Sequence, residues 1–162
     1  MSLVLGQLAR SGRRAAEGSG RVLSNTHFSM AIHVLVALAY NDGRVVSSDD
    51  LARTVGTNPS FLRGLIGELR EAGLVETRLG KGGGALLARR PAKIRLDEVY
   101  RATEDRPAVT THVCDGRSPC PVARNMEELL GGISARLEQV VVAELKKITL
   151  AGLLKKYIPR KK

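Results

Sequence analysis

The spacing of apolar residues changes period along the chain, and each change marks a new element. From Thr26 to Tyr40, the residues Phe28, Met30, Ile32, Val34, Leu35, Leu38 and Ala39 are apolar on most sides of a helical repeat, which predicts a central helix. Asn41-Asp42-Gly43 is a turn signal, and Arg44-Val45-Val46 reads as a strand stub. Ser47-Ser48-Asp49-Asp50 opens a second helix, with Ser47 and Asp50 at capping-box spacing, Leu51, Ala52 and Val55 facing inward, and Gly56 closing it. Thr57-Asn58-Pro59 restarts a helix at once, Asn58 as cap and Pro59 in the first turn. Its buried stripe is Leu62, Leu65, Ile66 and Leu69, and it stops at Ala72-Gly73.

Two helices joined by so short a turn predict a helix-turn-helix. The second helix turns Ser60, Arg63, Gly64, Gly67 and Arg70 away from the core. Glycine inside a helix costs about 1 kcal/mol relative to alanine, so Gly64 and Gly67 imply either close approach to a groove or tight packing against another helix. The period then shortens to that of a strand. Leu74 to Leu79 alternates, Gly80-Lys81-Gly82-Gly83-Gly84 turns, and Ala85 to Ala88 returns, a hairpin that serves as a wing. The glycine turn and Lys81 offer backbone N–H groups and a cation to a phosphate backbone. Context argues against a nucleotide loop, because these glycines lie between two strands and no Lys-Ser/Thr follows them.

Helical spacing resumes after Pro91. A short helix is expected from Asp97 to Thr103, and a Pro-, Thr- and Gly-rich loop over 105–121. A long helix follows from Val122 to Lys147, with Val122, Met126, Leu129, Ile133, Leu137, Val140 or Val141, and Leu145 on one stripe. At about 39 Å it outruns a small domain, and a second copy of itself is the economical cover for the surplus stripe. Gly131-Gly132 interrupt it midway, and a last short helix is expected over Thr149 to Leu154. The fold class is therefore mainly α with a small β-hairpin, a winged helix-turn-helix plus a long C-terminal dimerisation helix. Residues 1–25 read as a flexible extension, 26–104 as the DNA-binding domain, 105–121 as a cysteine-bearing sensor loop, and 122–162 as dimerisation helix and basic tail.

Charge supports a polyanionic partner. The formal net charge is +10, and from Thr77 to Leu96 six bases (Arg78, Lys81, Arg89, Arg90, Lys93, Arg95) stand without an acid. Aromatics are 3% of the chain with no Trp, which argues against stacking platforms for single strands. No apolar run is long enough to span a bilayer, no secretory signal is apparent, and two cysteines suit a reducing cytoplasm. An enzyme would need clustered acids or a nucleophile with a base, and His27, His33 and His112 are scattered.

Ser60-Phe61-Leu62, Glu71-Ala72-Gly73-Leu74-Val75, Gly80-Lys81-Gly82-Gly83-Gly84, a cysteine-bearing loop and Ile148-Thr149-Leu150 occur in that order, and together they resemble the Rrf2 family of bacterial transcription regulators over Thr26 to Leu154. The resemblance implies a homodimer joined through the long helix; the expected partner is double-stranded DNA at a palindromic operator, with repression as the expected output and activation as its alternative. It also implies that Ser60, Phe61 and Arg63, near the start of the recognition helix, read the major groove. Iron–sulfur-sensing relatives carry Tyr and Glu at the positions of Phe61 and Arg63, so their operator does not transfer; Arg63 suits a bidentate contact to guanine. Arg78 is displaced by one residue from a wing arginine of those relatives. The candidate DNA-binding set is Ser47, Asn58, Ser60, Phe61, Arg63, Arg70, Arg78, Lys81 and Gly82.

Cys114 and Cys120 flank Asp115-Gly116-Arg117-Ser118-Pro119. Three readings stay open. A thiol switch needs only two nearby sulfurs and a cation such as Arg117. An iron–sulfur cluster needs more ligands, and by the resemblance Met126 stands where a third cysteine is expected and Leu129 where a histidine is; His112 is the one substitute nearby. The third reading is a pair of thiols with no sensing role. No cofactor and no metal ligand set is assigned. A winged-helix protein-interaction module is the alternative to a DNA-binding regulator, and the basic run over Thr77 to Leu96 favours DNA.

Overall fold

A computed structural model describes residues 26–110 and 120–158. The N-terminal extension, the segment 111–119 with Cys114 and His112, and the last four residues lie outside the described residues.

Helix α1 (Thr26–Tyr40) is the hub, burying Ala31, Val34, Leu35 and Leu38 against α2 (Ser48–Val55), α3 (Pro59–Glu71) and α4 (Leu96–Thr103). Its apolar character on most sides follows from having neighbours on most sides. The core continues through Leu51 and Ala52 of α2, Leu62, Leu65, Ile66 and Leu69 of α3, and Val99 of α4. β1 (Val75–Arg78) and β2 (Gly84–Leu87) form the predicted antiparallel hairpin, with Val75 opposite Leu87 and Arg78 opposite Gly84.

The strand stub at Val46 adds a short third rung. Val46 N–H donates to the Ala85 carbonyl at 2.9 Å, and Ala85 N–H returns to the Val46 carbonyl at 2.8 Å. This rung explains a glycine: a Cβ on Gly84 would land on the Val46 carbonyl. At Gly83 a Cβ would strike the Arg78 carbonyl oxygen. Two of the wing glycines are thus required by the turn itself, whatever the wing touches.

A 3-10 turn (Pro91–Lys93) leads into α4. The long helix α5 (Pro121–Lys146) departs from the core, and α6 (Leu150–Tyr157) returns to it. Thr149 caps α6 by accepting the Gly152 N–H, and Leu150 is fully buried in the same cluster as α1. The return is held by Leu96 N–H to the Ile148 carbonyl at 3.0 Å and by Leu150 N–H to the Ile94 carbonyl at 2.9 Å. No helix among the described residues is long and apolar enough to cross a membrane.

Candidate nucleic-acid interface

The rotation of α3 is fixed by its buried stripe, since Leu62, Leu65 and Leu69 are at most 1% exposed. Ser60, Phe61, Arg63, Gly64 and Arg70 are consequently exposed. Asn58 starts the helix: its side-chain oxygen accepts the Phe61 N–H at 2.7 Å. Ser47 does the same for α2, accepting the Asp50 N–H at 3.1 Å and donating its hydroxyl to the Asp50 carboxylate at 2.7 Å. That carboxylate also takes Arg53, so the expected capping box is half formed. Both cap side chains fix a helix start.

Phe61 is less open than an outward position suggests. Its ring tilts against His27 at 5.4 Å, and His27 Nε2 lies 3.2 Å from Glu68 Oε2. The start of α3 is thereby braced on α1. Both partners of His27 sit on another helix, out of reach of any local sequence pattern.

Between α3 and the hairpin runs an open cleft of about 480 Å³. Arg63, Arg70 and Arg78 line it, with Gly67, Thr77, the start of α2 and one acid, Asp49. Nothing lies within 4 Å of where a Cβ would stand on Gly64 or Gly67. No other helix among the described residues packs on these two glycines, which leave a smooth face on α3.

The cationic run over Thr77 to Leu96 needs correcting. Arg89 pairs with Glu98 at 2.5 Å, and Arg95 with Asp97 at 2.9 Å. Asp97 is buried, and the hydrogen bond from Arg95 holds its carboxyl below the usual carboxylate range. The two acids follow the run by one and two residues, so a window closed at Leu96 misses them. The exposed cations left from the run are Arg78 and Lys81 on the wing and Arg90 and Lys93 beyond it.

The way into the cysteine loop is fastened to α5. Glu138 accepts from the Tyr100 hydroxyl at 3.1 Å and from the Ala108 N–H at 2.9 Å, and the Ser134 hydroxyl donates to the Val109 carbonyl. Burial, reinforced by Glu138, pushes the Tyr100 phenol up to about 12, so it stays a donor. On the far side of the loop, Cys120 is exposed at the N-cap position of α5. Met126 is half-buried and Leu129 is 58% exposed, and neither offers the thiolate or imidazole a cluster requires. Among the described residues no group of three or more His, Cys, Asp or Glu side chains could hold a metal ion. The donors among the described residues, with Cys120 as their one thiol, fall short of what an iron–sulfur cluster requires.

Comparison with known proteins agrees with this architecture. Residues 24–156 match the family model Rrf2, described as an iron-dependent transcriptional regulator. The chain is 30% identical over 129 residues to the HTH-type transcriptional regulator IscR of Yersinia pseudotuberculosis, covering 77% of this chain and 78% of that one. It is also 30% identical over 121 residues to YwnA of Bacillus subtilis, covering 75% and 89%. Among solved structures, a regulator from Lactobacillus plantarum superposes with a TM-score of 0.70 at 23% identity, covering 81% of this chain and 91% of its own. CymR, the global cysteine regulator of B. subtilis, superposes with a TM-score of 0.59 at 24% identity, covering 80% and 94%. With a family match across nearly all of the described residues, a hairpin after the recognition helix and an arginine-lined cleft between them, the chain belongs to the Rrf2 family of DNA-binding transcriptional regulators.

Proposed function

We propose that the chain binds a palindromic operator as a homodimer, laying the exposed face of α3 in the major groove of each half-site and the hairpin across the flanking backbone. The observation that carries this reading is the cleft lined by Arg63, Arg70 and Arg78. A phosphate backbone fits between a major-groove helix and a wing, and Gly67 lets it approach the helix closely. Ser60, Phe61 and Arg63 then face base edges, while Arg70, Arg78, Lys81 and the Gly82 backbone meet phosphates. Ser47 and Asn58 act by fixing helix starts whose N–H groups point toward the same backbone.

Dimerisation is supported by α5, where Val122, Leu129, Ile133, Leu137 and Val140 are 42–65% exposed and Ser134 is the one buried residue. So long an apolar stripe needs a cover, and a two-fold copy supplies one of matching shape. Repression through operator occupancy is the proposed output.

The test is fluorescence anisotropy on fragments of the chain's own promoter across a salt series. Affinity should fall steeply with salt, and Arg70→Ala and Arg78→Ala should each lower the slope by about one. Failure of the confirmed dimer to bind any such fragment at low salt would sink the proposal. A thiol-redox signal is the second reading, supported by the exposure of Cys120 where the loop enters α5. An identical peroxide response in wild type, Cys114→Ser and Cys120→Ser would remove it.

A further inference from the structure

One imidazole on the first turn of α1 touches the recognition helix at two places. The His27 ring tilts against Phe61 at a centroid distance of 5.4 Å, and its Nε2 lies 3.2 Å from Glu68 Oε2, two helical turns further along α3. That carboxylate oxygen is buried and accepts no hydrogen bond among the described residues. What joins it to His27 is therefore charge, which the imidazole carries only when protonated. From the other elements packed on α1, no further ion pair reaches either side chain among the described residues. One turn along α1 stand Met30 and Ala31, which carry no charge. The first turn is itself fixed from behind, because Phe28 meets Tyr100 of α4 edge-on at 5.5 Å. Tyr100 is tied in turn to Glu138 of α5 at 3.1 Å.

We propose that His27, in its charged form, is a positioning residue that holds the Phe61 ring in the pose that reads a base edge. The inference rests on the DNA-binding reading above. Phe61 is the one aromatic side chain of α3 and stands in its first turn, where a recognition helix meets bases. A phenyl ring has no hydrogen bond to give a base edge, and what it recognises in the major groove is the methyl group of thymine. Such a contact is short-ranged and needs the ring held still. The ring is otherwise exposed, and His27 closes off one side of it. Glu68 keeps the charged imidazole in place; a neutral imidazole loses that grip and releases the ring.

The experiment uses the full chain and its own operator, with each thymine replaced singly by deoxyuridine, which lacks only that methyl. At pH 6, wild type should lose about fourfold in affinity at one position per half-site, the scale of one buried carbon. Phe61→Ala should lose that sensitivity. At pH 8 the wild-type penalty should fall toward nothing. His27→Arg, charged at both values and able to lie along an aromatic ring, should keep the penalty at both. His27→Ala should abolish it at both while keeping the wild-type salt slope. Glu68→Gln, which preserves side-chain shape, tests the charge if His27→Ala folds poorly, and its penalty should already be small at pH 6. A methyl penalty in His27→Ala equal to that of wild type would overturn the proposal, as would a wild-type penalty that is the same at both pH values. A salt slope lowered by about one in His27→Ala would also sink it, by making His27 a phosphate contact. So would wild-type binding with no thymine position that Phe61→Ala desensitises. Absence of any wild-type binding is a different failure, that of the DNA-binding reading itself.

Discussion

Helices α3 and α5 carry apolar stripes of the same kind, spaced in threes and fours, yet they meet opposite fates. In α3, Leu62, Leu65, Ile66 and Leu69 are 0–4% exposed, covered by α1, α2 and α4. In α5, Ile133, Leu137 and Val140 are 51%, 42% and 54% exposed. Spacing reports that a face is amphipathic and is silent on what covers it. The polar sides differ too. The outward face of α3 is stripped bare by Gly64 and Gly67, whereas α5 uses Ser134 and Glu138 to grip the segment leading to the cysteine loop.

The sharpest way to break the contrast is to charge the open stripe. Ile133→Glu should leave the helical circular dichroism intact and reduce the mass in light scattering to the 17.4 kDa of one chain. A wild-type protein already of that mass would defeat the comparison. A matched pair of truncations sharpens it further. Leu65→Ala, at a residue 1% exposed, should cost about 2–5 kcal/mol in denaturant unfolding at every protein concentration. Leu137→Ala should cost less, and its cost should shrink or grow with concentration as a partner-covered residue requires.

Smaller effects belong to the polar contacts. The Asp97–Arg95 pair contributes stability that is present above the ordinary carboxylate value and is lost as pH falls through the lower folded value of Asp97. Asp97→Asn should therefore flatten the acid limb of the stability profile. It should cost about 1–2 kcal/mol at neutral pH, modest because Arg95 is 43% exposed. The smallest change has a favourable sign. Gly67→Ala meets no atom within 4 Å and should raise stability by about 0.5–1 kcal/mol while weakening operator binding. A variant that gains stability and binds as well as wild type would show that no backbone approaches there.

Much of this architecture was legible because local signals agreed with one another. Asn58-Pro59 marks the start of α3, Gly56 the end of α2, and the shift to strand spacing at Leu74 the wing. What escaped depends on residues that are distant in sequence or just past a boundary. Glu98 neutralises Arg89 from nine residues away, and Tyr100 reaches Glu138 across thirty-eight. The brace of His27 on Phe61 and Glu68 joins two helices that share no sequence pattern. Glycine spacing in the wing points to a phosphate cradle, and it does not reveal that Gly83 and Gly84 are also demanded by backbone crowding. The site was thus legible as a face of a helix and less so as a set of contacts.

The fastening of α5 to its own domain has a mechanical consequence. Held by Glu138 and Ser134 one turn apart near its middle and by the Leu96–Ile148 bond just past its end, the helix is a rigid arm of about 39 Å. In the proposed dimer, the gap between the two recognition helices is set by the pitch of these arms. One base pair of rise is about 3.4 Å, which such an arm sweeps in roughly five degrees. A signal that shifted the grip at Ala108 and Val109 by that angle would put one half-site a full base pair out of step.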